Sequence, residues 1–80
     1  IIMIDLVRLL EDIAKSIVEN PDEVKVTQEI DGDNITLTLK VAEGDMGMVI
    51  GKRGNIARAV RTVMKAAAKL ADMKITVEIR

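Results

Sequence analysis

Apolar residues from Ile2 to Val18 recur at the 3.6-residue spacing of a helix. On a helical wheel Leu6, Leu9, Leu10, Ile13, Ala14, Ile17 and Val18 share one half, opposite Asp5, Arg8, Glu11, Asp12, Lys15 and Glu19. Arg8 with Asp12 and Glu11 with Lys15 stand four apart, the spacing at which opposite charges support a solvated helix face. Asn20-Pro21-Asp22 should end this helix, because proline lacks the N–H and restricts the residue before it.

The period then shortens to two. Val24, Val26 and Ile30 alternate with Lys25, Thr27 and Glu29; beyond Asp31-Gly32-Asp33-Asn34, residues Ile35, Leu37, Leu39 and Val41 alternate with Thr36, Thr38 and Lys40. This is the signature of a hairpin with one buried face. Gln28 interrupts the apolar series and places the first strand toward an edge. Met73, Ile75, Val77 and Ile79, alternating with Lys74, Thr76 and Glu78, predict a third strand.

Two helical stretches lie between hairpin and last strand. A short one runs through Met46, Met48, Val49 and Ile50, with Asp45 as its candidate N-cap, and stops at the Gly51 to Gly54 turn. A long one opens at Asn55 and reaches about Ala71. Ile56, Val60, Val63, Met64, Ala67, Leu70 and Ala71 form its apolar centre, flanked by Ala57, Ala59, Ala66 and Ala68, over an arc of about 200°. Arg58, Arg61, Lys65 and Lys69 make a basic stripe opposite. The order αββααβ predicts an α+β domain spanning residues 1–80, its helices on one face of a three-stranded sheet and Thr, Lys and Glu on the other. Met46, Met48, Met64 and Met73 are expected to fill the core.

Composition narrows the chemistry. The chain has no cysteine, histidine, phenylalanine, tyrosine or tryptophan. Disulfides, thiolate or imidazole metal sites and a histidine general base are therefore excluded, as is base stacking on sheet aromatics. One serine, Ser16, stands without an activating partner, so no enzyme, cofactor or metal is expected. With no apolar run long enough for a membrane span and no signal-peptide pattern, the expected compartment is the cytoplasm.

The net charge of −1 conceals an asymmetry. Residues 1–45 carry eleven acids and four bases, a net −7, whereas residues 46–80 carry two acids and eight bases, a net +6. One half of the domain can attract phosphate despite an acidic whole.

That half contains "MVIGKRGNIARAV" (48–60). It is no P-loop: Met46 stands where that motif needs glycine, and Arg53 where it needs Ser or Thr. The dinucleotide GxGxxG spacing is absent as well. What remains is a Gly-x-x-Gly turn between two helices. Gly51 and Gly54 permit positive φ and close approach of another backbone, next to the positive end of the following helix. Lys52 and Arg53 at the tip, with Arg58 and Arg61 one and two turns on, would hold phosphates. A sugar-phosphate chain suits this pattern.

"VIGKRG" resembles the GxxG loop of KH modules, which clamps about four nucleotides of RNA backbone. The opening "LLEDIAKSIVENPDEVKV", the block "GDMGMVIGKRGNIARAVRTVMKAAA" and the terminal "ITVEI" resemble the KhpA group of stand-alone bacterial KH proteins along nearly the whole chain. The chain departs at Ala57, where many KH domains carry isoleucine, and at Ala42-Glu43-Gly44, which lacks a proline. The resemblance implies a type II KH domain, αββααβ, with a three-stranded mixed sheet and helices packed on one face. It also implies binding of single-stranded RNA along Ile50, Gly51, Lys52, Arg53, Gly54, Asn55, Arg58 and Arg61, with bases in an aliphatic groove, and work as an RNA chaperone or post-transcriptional regulator. Self-association and pairing with a larger KhpB-type KH protein are further implications. The apolar arc of the long helix independently predicts a symmetric homodimer, unless the first helix covers the surplus. A protein-pairing module whose loop binds little RNA is the alternative function.

Overall fold

The computed structural model describes residues 5–80. Helix α1 (Leu6–Ile17) begins at Asp5, whose carboxylate accepts from the Arg8 N–H at 3.1 Å, and buries Leu6, Leu10 and Ala14. It ends at Val18, ahead of the expected stop at Asn20-Pro21, and a short 3-10 turn (Pro21–Glu23) follows. The part of the expected helix at Ile2 to Ile4 lies outside the described residues. Both predicted i,i+4 ion pairs form, Arg8 with Asp12 at 4.0 Å and Lys15 with Glu11 at 3.9 Å.

Strands β1 (Lys25–Asp31) and β2 (Asn34–Lys40) make an antiparallel hairpin, closed by a tight turn with Gly32 at φ 62°. After the two helices of the crossover, β3 (Lys74–Ile79) pairs parallel with β2, from Asn34 opposite Lys74 to Leu39 opposite Ile79. The sheet order β1-β2-β3 makes it mixed, with β2 central and β1 at an edge, as Gln28 indicates. Ile35, Leu37 and Leu39 of β2 and Val77 of β3 enter the core with Leu6, Leu10, Val49, Val60 and Met64. Helix α1 lies over β1 and β2, and α3 (Asn55–Leu70) over β3, while α2 (Met46–Ile50) packs against both helices.

Four local expectations are corrected. Ile30, assigned inward, is 60% exposed: β1 is an edge strand and Ile30 lies at its hairpin end. Met48, assigned to the core, is exposed because the single turn of α2 can bury only one side, which it does through Val49. Leu70 and Ala71, assigned to the apolar centre of α3, are exposed where the helix ends. Asp45 precedes α2 but does not cap it. Its side chain is buried and accepts from the Asn20 backbone N–H at 3.0 Å and the Asn20 Nδ2 at 3.2 Å, joining the exit of α1 to the entry of α2.

Candidate nucleic-acid interface

Helix α2 stops because Gly51 takes φ 75° and ψ 179°, a conformation essentially restricted to glycine. A 3-10 turn follows over Lys52–Gly54, with Arg53 at φ 57° and Gly54 at φ 74°, and α3 starts at once. Three residues of four thus have positive φ. The turn is closed by the Gly51 N–H donating to the Gly47 carbonyl at 2.9 Å and the Gly54 N–H to the Gly51 carbonyl at 3.2 Å. The N–H groups of Lys52 and Arg53 open this 3-10 turn and have no acceptor within it, as the first donors of a helix do not. Two such amides therefore stand beside the first turn of a sixteen-residue helix, where the helix dipole is positive.

The two glycines do different jobs. A β-carbon on Gly51 would come within 2.9 Å of the Ile56 backbone nitrogen, so this position is closed to side chains by both space and dihedral. A β-carbon on Gly54 would meet nothing within 4 Å, and there the dihedral alone favours glycine. Both are partly accessible, and Lys52 and Arg53 are exposed.

Beside the loop runs a groove of about 310 Å³ lined by Ile50, Gly54, Ala57, Arg58, Arg61 and Ile79. Its floor is aliphatic and its rim carries two guanidinium groups. The Arg61 Nε donates to the Val77 carbonyl at 3.3 Å, which ties this side chain to the open edge of β3. A second depression, lined by Arg61, Lys65, Ile75, Thr76 and Val77, continues along that edge.

The sequence-predicted residues therefore fall into two groups. Ile50, Gly54, Arg58 and Arg61 line the groove, while Gly51, Lys52, Arg53 and Asn55 form the loop at its mouth and the start of α3. Lys69 is not among the residues that line the groove. Ala57 and Ile79 were not assigned to the site. Ala57 is buried under the groove, where its small side chain leaves room, and Ile79 reaches it only through the parallel register of β3 with β2. The inward alternation of β3 was the available signal, but alternation does not tell which end of the sheet the strand reaches.

A family model described as "KhpA/KhpB, KH domain" matches residues 7–79. The chain belongs to the KhpA/KhpB KH-domain family. An RNA-binding protein KhpA of Clostridium acetobutylicum is 56% identical over 72 residues, 90% of this chain and 96% of that protein. An RNA-binding protein KhpA of Clostridium perfringens is 52% identical over 71 residues, 89% of this chain and 95% of its length. A crystal structure of Era, in complex with MgGDPNP and a segment of 16S ribosomal RNA, superposes with a TM-score of 0.64 at 13% identity. The match covers 92% of this chain and 28% of Era, and at that identity it speaks for the KH fold alone.

The other large apolar feature of this KH domain lies across the helices. Leu9, Ile13 and Ile17 of α1 and Ile56, Ala59, Val60 and Val63 of α3 line a shallow depression of about 460 Å³. Helix α1 thus covers only part of the wide apolar arc of α3, and Ile56, Val63 and Leu70 remain exposed, Val63 by 48%. Among the described residues no helix is long and apolar enough to cross a membrane.

Proposed function

We propose that this KH domain binds single-stranded RNA, with the sugar-phosphate backbone along Gly51 to Gly54 and about four nucleotides in contact. The observation that carries the reading is the pair of turn-opening amides of Lys52 and Arg53 at the mouth of an aliphatic groove rimmed by Arg58 and Arg61. Amides, helix dipole and cationic tips attract phosphate, while Ile50, Ala57 and Ile79 offer bases a surface that excludes water without stacking them. Relatives named as RNA-binding proteins support the same reading. With no aromatic platform, one domain binds weakly and discriminates bases modestly, as suits an RNA chaperone or post-transcriptional regulator.

Titration of a short labelled RNA by fluorescence anisotropy tests it. Three neutralised phosphates give a slope of log affinity against log salt of about −2. Changing Lys52 and Arg53 together to Asp abolishes binding and leaves the thermal midpoint nearly unchanged, since both side chains are exposed. Retention of binding by that variant removes the loop from the mechanism.

The exposed apolar strip of α3 favours a second property, pairing through this helix, either with a second copy in a symmetric homodimer or with a KhpB-type KH protein. The strip lies on another face of α3 from Arg58 and Arg61, so pairing leaves the groove open and places two RNA sites in one assembly.

A further inference from the structure

The outer face of the sheet, away from the helices, carries a row of cations at one end. Lys25 of β1 pairs directly with Lys40 of β2, and both are exposed. Their β-carbons are then about 4.5–5.5 Å apart, where like charges oppose each other. The next strand adds a third charge. The Arg80 N–H donates to the Leu39 carbonyl at 2.7 Å and the Arg80 carbonyl accepts from the Val41 N–H at 3.3 Å, so the ladder continues and sets Arg80 beside Lys40. Lys25, Thr27, Thr38, Lys40 and Arg80 line one shallow depression of about 400 Å³. Arg80 is paired with Glu78 at 3.0 Å, but among the described residues neither Lys25 nor Lys40 has an acidic partner. The other acids of this face, Glu29 opposite Thr36 and Asp31 opposite Asn34, sit two and three outward positions away from Lys40.

This row adjoins the groove. Ile79 lines the groove, and the very next residue, Arg80, lines the cationic depression on the opposite face. Lys40 and Arg80 occupy the end of the sheet where β2 and β3 both finish, the end that Ile79 and Gly54 share. The last residue of β3 and the residue that follows it thus join the two surfaces round a single corner.

We propose that Lys25, Lys40 and Arg80 form a second phosphate-binding site, which takes the flanking backbone of an RNA strand that leaves the groove past Ile79 and turns onto the outer face of the sheet. The threonine hydroxyls of Thr27 and Thr38 add donors, and a phosphate between Lys25 and Lys40 relieves their mutual repulsion. The inference rests on the RNA reading of the loop and extends it from a site of a few nucleotides to a path over two faces.

The test compares an RNA of about four nucleotides, the length a GxxG loop clamps, with one of about twelve. The native chain binds the longer RNA more tightly and with a steeper salt dependence. Changing Lys25 and Lys40 to Gln leaves the shorter RNA unaffected, weakens the longer about tenfold at low salt and reduces its salt slope by about 1.4, two contacts at about 0.7 each. Lys25→Glu gives a similar loss while replacing a repulsive cross-strand pair by an attractive one, so its thermal midpoint does not fall. Unchanged binding of the longer RNA by these variants, equal loss on both RNAs, or no gain from length in the native chain overturns the proposal. Failure of the loop reading is separate: it appears as undiminished binding of the shorter RNA when Lys52 and Arg53 are Asp. A native chain that binds neither RNA overturns both.

Discussion

Asp45 and Asn20, 25 positions apart, are joined by two hydrogen bonds to one carboxylate oxygen, from the Asn20 N–H at 3.0 Å and its Nδ2 at 3.2 Å. Asp45 is 2% exposed, and removing its carboxylate takes the acceptor from both Asn20 donors and unties the exit of α1 from the entry of α2. Asp45→Ala should lower unfolding stability by about 1–3 kcal/mol, and Asp45→Asn, which keeps one acceptor oxygen, by less. Urea denaturation of the three chains measures the order.

Gly51 and Gly54 should not respond alike to alanine. At Gly51 the new β-carbon meets the backbone of Ile56 at 2.9 Å in a dihedral region few other residues enter, so the start of α3 has to shift. At Gly54 the space is open and only the left-handed backbone is penalised, by about 1–2 kcal/mol. The thermal midpoint of Gly51→Ala should therefore fall further than that of Gly54→Ala, at about 4–8 °C per kcal/mol in a domain of this size.

Arg53 holds φ 57° without being glycine, so the loop stores strain at a residue it uses for charge. Arg53→Gly relieves about 1–2 kcal/mol of backbone strain, against about 0.4–1 kcal/mol of added chain entropy in the unfolded state. The thermal midpoint should stay level or rise while affinity for a short RNA falls. A drop in both would show that the Arg53 side chain carries the loop's structure.

Val63 is nearly half exposed on the apolar strip of α3. Val63→Glu should yield a monomer in sedimentation velocity, with the thermal midpoint of the isolated fold little changed and RNA binding per chain retained. A native chain that sediments as a monomer at all accessible concentrations would rule out the homodimer.

Much of this fold is legible in the periodicity. The hairpin, α3 and β3 lie where alternation and helical spacing place them, because each buries one face and the other must stay polar. The loop is legible through Gly51, whose dihedrals demand glycine, and Gly54, whose left-handed backbone favours it. What periodicity cannot carry is the placement of one element against another. Ile30 looks inward by alternation, yet its strand is an edge. Asp45 looks like a cap by position, yet its partner is Asn20. Ile79 becomes part of the groove only through a parallel register that no local pattern encodes.

The order of elements has a consequence for synthesis. The Gly51 to Gly54 turn lies inside the crossover between β2 and β3, and Ile79, which completes the groove, leaves the ribosome after the loop and after both helices beside it. Parallel pairing closes a long loop of chain and forms only once both strands exist. A nascent chain therefore displays its glycine turn before it owns a pocket beside it, and on the proposed function capture of an RNA waits on β3.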